Sequence, residues 1–430
     1  MSSSSGASRI APLDGPVAPG KEESRCRFCG TALRDVFIDL GIQPLANAYV
    51  TAADLRRPER FYPLRLMVCA SCLLVQIEET VSPEHLFSDY PYFSSYADSW
   101  LRHARDYADM VVERFALDAG RRVVEVASND GYLLQFFAQR GIDVLGIDPA
   151  ANVAAVASAN GIPTMVEFFG YSLARRLAAE GKQADLLVGN NVLGHVSQLN
   201  DFVGGLRELL APRGVLTLEF PHVMRLIEEN QFDTIYHEHV SYFSLITVMR
   251  VFAAHGLTLF DVEEVPTHGG SLRVFLRHAA DASRPVASRV AGLVRREEQA
   301  GLASLEAYGS FSERVKAAKR RLLGFLIGTK DAGKSVAAYG APAKGNTLLN
   351  YCGVGTDFID WTVDRNPRKH GRFLPGSHIP IYPPEQIRIG RPDYLLILPW
   401  NLKDEIAEQT AYIREWGGKF VTPIPEVHVF

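Results

Sequence analysis

The sequence predicts a multidomain α/β protein, since 430 residues are enough for about two to four domains. Apolar stretches of strand length alternate with helical patterns from residue 122 to about residue 220, and the alternation restarts near residue 335. Such alternation is typical of βαβ units and a mostly parallel sheet. Ahead of both stretches, four of the five cysteines lie between Cys26 and Cys72. We therefore expect two α/β domains behind a small cysteine-rich domain.

Composition and charge exclude several classes of partner. The chain is 47% hydrophobic and 22% charged, and its formal net charge of −4 gives no electrostatic basis for binding nucleic acid. No apolar run approaches the roughly 20 residues that span a bilayer. Residues 1–24 are rich in Ser, Gly, Ala and Pro and lack the apolar core of a signal peptide, so we expect a disordered tail. We expect a cytoplasmic monomer without nucleic-acid or membrane partners.

The cysteines form two short pairs, Cys26-x-x-Cys29 and Cys69-x-x-Cys72. Two such turns direct four thiolates at one centre, which is the tetrahedral arrangement of structural zinc. A disulfide framework is disfavoured because no secretory signal precedes the pairs and the rest of the chain adds only Cys352. A redox C-x-x-C motif explains one pair but not two. Four protein ligands leave no open position, so the zinc ion should shape the domain and take no part in chemistry.

Hydrophobic periodicity and turn residues divide the chain into five segments. These are a tail (1–24), the cysteine domain (25–90), a central α/β domain (91–285), a helical linker (286–330) and a carboxyl-terminal α/β domain (331–430). The predicted strands are 62–68, 122–127, 144–147, 186–188, 214–220, 257–265, 271–277, 335–339, 358–363 and 394–398. The predicted helices are 100–115, 132–140, 153–159 and 202–210, with another that opens at Gly345. The aromatic segment 86–96 is expected to be a loop.

The first candidate ligand site is the turn that follows the strand at 122–127. Gly131 would let the backbone approach a ligand closely. Asp148 ends the next strand about 17 residues later, where a carboxylate reaches the ribose hydroxyls of an adenosine. A dinucleotide-type G-x-G-x-x-G is absent, because Ala127 and Asn129 stand where glycines would be. A plain strand–turn–helix explains this stretch alone equally well.

A second strand end strengthens the ligand interpretation. The segment Asn190-Asn-Val-Leu-Gly-His195 places two amides at the carboxyl edge of the sheet, where ligands bind in open α/β sheets. Together with Glu125, the glycine turn and Asp148, it resembles the ordered motifs of class I S-adenosylmethionine-dependent methyltransferases. The resemblance implies that Glu125 and the turn at 127–131 approach the methionine part of the cofactor. It also implies that Asp148 binds the ribose and that Asn190 and Asn191 lie at the sulfonium end.

The run Tyr236-His-Glu-His-Val-Ser-Tyr-Phe-Ser244 concentrates side chains that handle protons. Histidine titrates near neutrality, and the glutamate between the two histidines can orient or tune them. If the segment is a strand, His237 and His239 face the same side and the sequence cannot separate their roles. A metal site is disfavoured because no further ligand is evident and H-E-x-x-H is absent. Solvated loop histidines are the simpler alternative.

Several long motifs occur in one order along the chain. After the cysteine pairs, the aromatic loop, the cofactor motifs and the histidine run come His268-Gly-Gly-Ser-Leu-Arg273, Tyr339-Gly-Ala-Pro-Ala-Lys-Gly-Asn-Thr347, Val363-Asp-Arg-Asn-Pro367, Leu374-Pro-Gly-Ser-His378 and Leu398-Pro-Trp-Asn401. Over about residues 25–425 the chain resembles the nucleotide-sugar carbon-methyltransferases, which build branched deoxysugars such as those on antibiotics. The resemblance implies a class I methyltransferase (Rossmann-like) domain between a small zinc domain and a smaller Rossmann-like carboxyl-terminal domain. It also implies S-adenosylmethionine as cofactor and a thymidine diphosphate 4-keto-deoxyhexose that is methylated at carbon 3.

The chemistry of such a reaction suggests roles for the histidine run. Methylating carbon requires a base that removes the proton beside a carbonyl group, and donors that hold the enolate oxygen that forms. Our hypothesis is that His239 is this base, with the other histidine of the run as the runner-up. Glu238 and Tyr236 would orient the base or hydrogen-bond the sugar. Tyr90, from the aromatic loop, and His195 would complete the wall of the site.

The carboxyl-terminal domain suggests a site for the rest of the substrate. A glycine turn lies about 20 residues before Asp364, which is the spacing of a ribose-binding acid, but G-x-G-x-x-G is missing. We favour Lys344 as a contact for the substrate pyrophosphate, with Asn346 in the same turn motif. Arg273 would be a second phosphate contact, and His237 would lie near the substrate. The alternatives are a nicotinamide-dependent sugar oxidoreductase or epimerase, a domain with only a structural role, and a zinc-dependent binding protein without catalysis.

Overall fold

The computed structural model describes residues 24–78, 81–82, 86, 93–96 and 98–430. Most of the predicted aromatic loop, including the candidate residue Tyr90, therefore lies outside the described residues. Three sheets of four, seven and six strands organise the part of the chain that is described. No helix in that part is long and apolar enough to cross a membrane.

Strands and α-helices are numbered separately in chain order. The strands are β1 (Asp35–Pro44), β2 (Phe61–Val68), β3 (Val75–Ile77), β4 (Arg122–Val126), β5 (Asp143–Ile147), β6 (Thr164–Met165), β7 (Ala184–Asn190), β8 (Leu210–Pro221), β9 (Ser241–Tyr242), β10 (Leu257–Val265), β11 (Ser271–His278), β12 (Val336–Tyr339), β13 (Thr362–Val363), β14 (Ile381–Tyr382), β15 (Tyr394–Ile397), β16 (Lys419–Thr422) and β17 (His428–Val429). The α-helices are α1 (Asp98–Phe115), α2 (Leu134–Ala138), α3 (Ala151–Ala159), α4 (Tyr171–Ala179), α5 (Leu199–Leu209), α6 (Val223–Glu228), α7 (Leu245–Ala254), α8 (Ser288–Gln299), α9 (Glu306–Gly309), α10 (Phe311–Asp331), α11 (Ala343–Cys352), α12 (Gln386–Gly390) and α13 (Lys403–Gln409).

The first sheet joins the cysteine domain to the histidine run. Its strands lie in the order β1-β2-β3-β9 and pair antiparallel. Strand β9 lies within the run, directly after its two histidines, and its Tyr242 pairs with Val75 of β3. The amide of Ile77 also donates to the carbonyl oxygen of Val240 at 3.0 Å. A strand of the cysteine domain therefore sets the position of the histidine run.

The central sheet is the predicted, mostly parallel one. Its order is β10-β11-β8-β7-β4-β5-β6, in which β4 to β8 are parallel and β10 and β11 are antiparallel additions. Val123, Val124 and Leu187 are fully buried, because strands of a parallel sheet are covered on both faces. The carboxyl ends of β4, β5 and β7 meet at one edge, so the predicted cofactor residues converge there.

The third sheet confirms a second α/β unit at the carboxyl end. Its order is β14-β13-β12-β15-β16-β17, and it is parallel except for β17. The predicted linker is helical, and its longest helix, α10, packs on the cysteine domain, where Phe311 stacks on Phe37 with ring centroids 4.9 Å apart. Val50 and Phe373 exchange backbone hydrogen bonds of 3.0 and 2.9 Å. The amino- and carboxyl-terminal parts of the chain are thus directly joined.

One hydrophobic core runs through all three sheets. Its buried members include Leu66 in β2, Val124 in β4, Leu326 in α10 and Leu396 in β15. The predicted domains therefore share apolar packing, whereas domains that move independently meet at smaller and more polar surfaces.

Some predicted elements differ from the observed ones. Strand β8 begins at Leu210, directly after α5, and the turn predicted at 211–214 lies where the register of β8 with β7 shifts. The strand predicted at 358–363 is reduced to two residues, because the carbonyl oxygen of Gly355 accepts the amides of Phe358 and Ile359 in a turn. Strand β1 and helices α4, α6 and α7 were not predicted.

Candidate active site and metal centre

The four paired cysteines converge on one point. Their sulfur atoms all lie within 4.8 Å of one another, and the Sγ–Sγ distances of Cys26–Cys72 and Cys29–Cys69 are both 3.5 Å. Tetrahedral zinc with Zn–S bonds of about 2.3 Å needs sulfurs about 3.8 Å apart, so the cluster fits this ion. Gln76 Nε2 also donates to Cys26 Sγ at 3.2 Å, a hydrogen bond that would orient a ligand. Within the described residues, no other group of His, Cys, Asp or Glu is arranged to hold a metal.

The turn after β4 has a left-handed backbone at three residues. Ala127, Asn129 and Gly131 have φ values of +59°, +50° and +80°. Non-glycine residues adopt this conformation rarely, and such residues cluster at ligand sites. Asp148, directly after β5, holds the turn because its carboxylate accepts hydrogen bonds from the backbone amides of Asn129 and Ala150, each at 2.9 Å. The missing glycines therefore do not prevent this turn from taking a shape that exposes backbone to a ligand.

Polar atoms without protein partners gather at this edge of the sheet. Among the described residues, Asn190 Oδ1, Asn191 Nδ2, Ser128 Oγ and Asp130 Oδ1 are buried and have no hydrogen-bond partner in the protein. Glu125 is buried on β4, and burial, with Asp148 and Asp130 nearby, raises its pKa well above the usual range. A cationic ligand rich in polar groups would satisfy both the acidic cluster and these atoms. The residues therefore fit S-adenosylmethionine, whose ammonium and sulfonium groups are positive.

The histidine run forms a turn, so the expected strand alternation of His237 and His239 is wrong. The amide of His239 donates to the carbonyl oxygen of Tyr236 at 2.9 Å, which closes the turn. The two imidazoles consequently have different surroundings. His237 Nε2 lies 3.2 Å from the carbonyl oxygen of Pro63 and its ring contacts Tyr62 edge-on. His237 thus packs against the cysteine domain, and the structure separates the two histidines that the sequence could not.

His239 is held in one tautomer. Its Nδ1 lies 2.8 Å from the carbonyl oxygen of Thr234, which can only accept a hydrogen bond, so Nδ1 carries the proton. Nε2 is then a lone-pair acceptor, and it lies 2.8 Å from the hydroxyl oxygen of Tyr236. Burial, followed by the neighbouring His195, His268 and Lys344, lowers the pKa of His239 well below its usual value. His239 is therefore a neutral imidazole with an unprotonated Nε2 at neutral pH.

His195 packs beside this imidazole and also contacts the backbone of Glu238. The rings of His195 and His239 are 4.8 Å apart, and His195 Nδ1 donates to the backbone carbonyl of Glu238 at 2.8 Å. Burial lowers the pKa of His195 to about 4. The carboxyl group of Glu238 accepts from Asn47 Nδ2 at 2.7 Å, and burial raises its pKa to about 7. The side chains of Tyr236, His239 and His195 are thus brought together as predicted, and Glu238 joins them through its backbone carbonyl.

Lys344 extends from helix α11 into the same site. Its Nζ donates to Asn401 Oδ1 at 2.8 Å and lies 4.5 Å from the ring centroid of Trp400. Trp400 Nε1 in turn donates to Asp233 Oδ2 at 2.7 Å. Burial raises the pKa of Asp233 to about 6, and burial lowers the pKa of Lys344. The charge of Lys344 also lowers the pKa of His239, so the carboxyl-terminal domain contributes a cation to this site.

Sequence reasoning missed three members of the site. His268 has a left-handed backbone with a φ of +56°, its ring lies 5.2 Å from Trp100, and burial lowers its pKa to about 4. The positive charge of Lys344 also acts on His268. His268 opens one of the motifs that carry the family resemblance, and this histidine is the feature of the sequence that could have indicated its role in the site. Asn47 and Asp233 gave no signal, because each is an isolated polar residue in its stretch of sequence.

Two residues predicted to bind substrate are committed elsewhere. The guanidinium group of Arg273 is buried against Glu219, at 2.6 Å, and Glu263, at 3.2 Å. Because Arg273 neutralises these buried carboxylates, it is not available as the phosphate contact that the sequence predicted. Asn346 is buried and donates from Nδ2 to the carbonyl oxygen of Ala46 at 2.6 Å, which links two parts of the protein.

The glycine turn of the carboxyl-terminal domain is covered by the protein itself. Asp364, the candidate ribose-binding acid, accepts the amide of Ala341 at 2.8 Å and lies 3.3 Å from Lys369 Nζ. The hydroxyl group of Tyr49 donates to the carbonyl oxygen of Ala341 at 2.5 Å. These contacts fill the place where a dinucleotide would bind in such a turn. They count against the alternative of a nicotinamide-dependent enzyme.

Known proteins resemble this chain along most of its length. Three family profiles match in succession: a zinc binding domain at 26–87, a methyltransferase domain at 100–262, and the C-methyltransferase C-terminal domain at 266–425. The C-methyltransferase NovU of Streptomyces niveus is 39% identical over 410 residues, which cover 94% of this chain and 96% of that protein. The chain belongs to the sugar C-methyltransferase family. As predicted, it is an S-adenosylmethionine-dependent C-methyltransferase with a zinc domain.

Other similarities concern parts of this C-methyltransferase. Ubiquinone biosynthesis O-methyltransferase of Roseobacter denitrificans is 31% identical over 97 residues, 22% of this chain and 39% of that protein. The solved magnesium protoporphyrin IX methyltransferase of Synechocystis PCC 6803 gives a TM-score of 0.32 at 16% identity and covers 41% of this chain and 79% of that one. The PH0226 protein of Pyrococcus horikoshii OT3 gives 0.36 at 14% identity, over 44% of this chain and 96% of that one. None of the three bears on the substrate.

Removal of zinc should disable the enzyme from a distance. The cysteine domain supplies the strand that holds the histidine run, so chelation should lower the melting temperature by more than about 5 °C and stop methyl transfer. Calorimetry, metal analysis and turnover measure these effects. Cys69→Ser should reproduce the loss, whereas Cys352→Ser changes a buried cysteine outside the cluster and should retain the metal. An unchanged melting temperature and turnover after complete chelation would contradict this prediction.

Substitution of Gly131 should weaken cofactor binding. A Cβ atom there would lie 3.1 Å from Ile162 Cγ1, and the φ of +80° is strained for any other residue. We expect Gly131→Ala to weaken S-adenosylmethionine binding about tenfold or more, as measured by calorimetry. Gly141→Ala is the matched control, since Gly141 has a φ of +74° with nothing within 4 Å of the added Cβ. Equal affinities for the two variants would show that the turn does not approach the cofactor.

Proposed function

We propose that this enzyme methylates carbon 3 of a nucleotide-linked 4-keto-deoxyhexose, with thymidine diphosphate as the nucleotide. The observation that supports it most is the fixed tautomer of His239, whose unprotonated Nε2 contacts Tyr236 and whose ring lies 4.8 Å from that of His195, four residues after Asn191. Carbon beside a ketone becomes a nucleophile only after it loses a proton, and a buried neutral imidazole is suited to accept it. Methylation of oxygen or nitrogen seldom needs such a rich acid–base cluster.

In the proposed reaction, His239 Nε2 removes the proton from carbon 3 and the electron pair moves onto the keto oxygen at carbon 4. Tyr236 donates to Nε2 in the structure, and it would turn its hydroxyl group to the sugar when the substrate arrives. When bound, S-adenosylmethionine supplies the methyl group to the carbon nucleophile, in line and with inversion at the methyl carbon. The polar edge formed by Asn190 and Asn191 would orient that end of the cofactor.

The enolate oxygen needs a positive or donating partner. The charge of Lys344 acts on both His239 and His268, which supports a position at the reacting end of the substrate. We therefore assign Lys344 to the enolate oxygen, in place of the pyrophosphate contact expected from sequence. His195 would hydrogen-bond the sugar near the enolate oxygen. Glu238, when ionised, would accept a hydrogen bond from a sugar hydroxyl group.

Two further expectations belong to this proposal. Among the described residues no disulfide forms, and four of the five cysteines are grouped so that they could bind one metal ion. Both observations support action in the reducing cytoplasm. The product would be a branched deoxysugar, and the C-methyltransferase relationship supports a place in the biosynthesis of such sugars for antibiotics.

Incubation in deuterated water tests the proposed reaction. With S-adenosylmethionine and thymidine diphosphate 4-keto-deoxysugars, mass spectrometry should show a gain of one methyl group. Without the cofactor, the enzyme should exchange deuterium into carbon 3, because the base can act alone. Guanosine diphosphate sugars serve as the comparison for the nucleotide. Absence of methyl gain with all of these sugars, under conditions where the cofactor binds, would refute the proposed substrate.

His239→Asn and His237→Asn separate the two histidines of the run. Loss of the base should lower kcat by about 10²–10⁴-fold and stop deuterium exchange in His239→Asn. His237→Asn removes a packing contact with Pro63 and Tyr62, so it should lower the melting temperature and retain exchange. Mass spectrometry and calorimetry measure both effects. The reverse pattern of exchange would assign the base to His237.

The pH dependence should report Glu238 and not His239. The pKa of His239 lies well below its usual value, so this base stays neutral as pH falls from 8 to 6. The pKa of Glu238 is about 7, and protonation below that value would remove an acceptor for the sugar. We expect kcat/KM to fall as pH decreases through about 7, and Glu238→Gln to remove this step. Persistence of the same step in Glu238→Gln would assign it to another group.

A further inference from the structure

A short segment of the cysteine domain is held between the carboxyl-terminal domain and the histidine run. At one end of the segment, Asn346 of α11 donates to the carbonyl oxygen of Ala46 at 2.6 Å. At the other end, Val50 exchanges two backbone hydrogen bonds with Phe373. The residues between are therefore fixed with respect to both ends of the chain.

Two side chains in this segment form a hydrogen-bonded path to the site. Asn47 Nδ2 donates to Glu238 Oε1 at 2.7 Å, and Asn47 Oδ1 accepts a longer hydrogen bond, of 3.3 Å, from the Tyr49 hydroxyl group. The Tyr49 hydroxyl donates to the carbonyl oxygen of Ala341 at 2.5 Å, which also accepts Lys369 Nζ at 2.9 Å. The path therefore runs from the first turn of the carboxyl-terminal domain to the Glu238 carboxyl group.

An amide is suited to this position for a chemical reason. Its nitrogen donates to an ionised carboxylate, and after a half-turn its oxygen accepts from a protonated carboxyl group. The Tyr49 hydroxyl suits both orientations: as observed, it shares its proton between the Ala341 carbonyl and Asn47 Oδ1, and after the half-turn its oxygen accepts from the amide nitrogen. Asn47 can thus keep the Glu238 carboxyl group in place in either protonation state, which aliphatic side chains cannot do.

We propose that Asn47 is a positioning residue for methyl transfer, which holds the Glu238 carboxyl group and ties it through Tyr49 to the carboxyl-terminal domain. Its effect on turnover rests on the function proposed above, whereas its effect on Glu238 does not. A contact across 191 residues of sequence is thereby part of the active site.

The groups that face Glu238 determine what the loss of Asn47 does. Asn47 is the side-chain donor to the carboxyl group, and it opposes the rise in pKa that burial causes. Tyr49 lies behind it, and its own pKa is raised by burial and, in part, by Glu238. His195 meets only the backbone carbonyl of Glu238, and His195 and His239 are neutral near pH 7. Without the amide, the ionised form of Glu238 loses its donor and the pKa of Glu238 rises.

The first experiment follows Glu238 directly in the zinc-loaded full chain. Glutamate labelled with ¹³C at the carboxyl carbon is titrated by NMR, and the Glu238 signal is identified by its absence in Glu238→Gln. We expect Asn47→Ala to raise the midpoint by about one pH unit, and Asn47→Asp to raise it further through like charge. Asn200→Ala is the matched control, because Asn200 also joins the central domain to the cysteine domain, by donating to Phe28 at 2.9 Å. It should leave the midpoint unchanged.

The second experiment measures turnover, where the wild-type enzyme methylates its substrate. We expect Asn47→Ala to lower kcat/KM about fivefold near pH 7, and to move the pH step upward by the same interval as the NMR midpoint. Asn200→Ala should keep the wild-type profile. Failure of the wild-type enzyme with every sugar would refute the proposed substrate and leave the NMR result to decide on Asn47.

One result would overturn the proposal whatever the substrate is. If Asn47→Ala and Asn200→Ala lower the melting temperature alike and neither moves the Glu238 midpoint, Asn47 is a structural contact only. Measurement of zinc content in both variants excludes loss of the metal as the cause of a shift. A midpoint that moves in Asn47→Ala while zinc content and cofactor affinity stay constant supports the positioning role.

Discussion

The pairing of β3 with β9 connects the metal centre to the chemistry. Strand β3 begins three residues after Cys72, and β9 begins two residues after His239. A displacement of the cysteine cluster would therefore be transmitted through very little chain to His239. A bound zinc ion would be a fixed point for a turn that has no regular structure of its own. Structural metals commonly supply folding energy in small domains, and in this enzyme the same energy would also position the His239 imidazole.

The site is built so that its imidazoles stay neutral. His195, His239 and His268 are all buried enough to have lowered pKa values, and the charge of Lys344 also lowers the pKa of His239 and of His268. Such crowding is unfavourable for stability, because buried polar groups with few partners are costly. It is favourable for proton removal from carbon, because the imidazoles remain free to accept a proton. Asp233, held by Trp400, balances Lys344, so the site can contain a cation without an adjacent exposed anion.

Local patterns allowed the fold and part of the site to be predicted. The cysteine spacing specified the metal centre, and the strand ends specified where Glu125, Asp148 and Asn190 converge, because both signals lie within a few residues of sequence. The expected strand alternation of the histidine run was wrong, since a turn and a short strand give similar residue patterns over five positions. The Asn47–Glu238 and Tyr49–Ala341 contacts join residues 191 and 292 positions apart and leave no trace in a single sequence. Arg273 was misassigned because its carboxylate partners lie on other strands.

The shared core limits how this chain can be recombined. Residues 331–430 resemble a separable unit in sequence, yet their sheet shares one apolar interior with the zinc domain and the central sheet. Deletion of that unit would expose the apolar interior and unfold the rest of the protein. The loss of activity would then say nothing about substrate binding. An exchange of carboxyl-terminal domains between relatives, as a way to change the accepted sugar, would have to carry the segment at 46–50 with it. A change of sugar specificity in this scaffold would therefore require that segments far apart in sequence, the carboxyl-terminal domain and residues 46–50, be exchanged together.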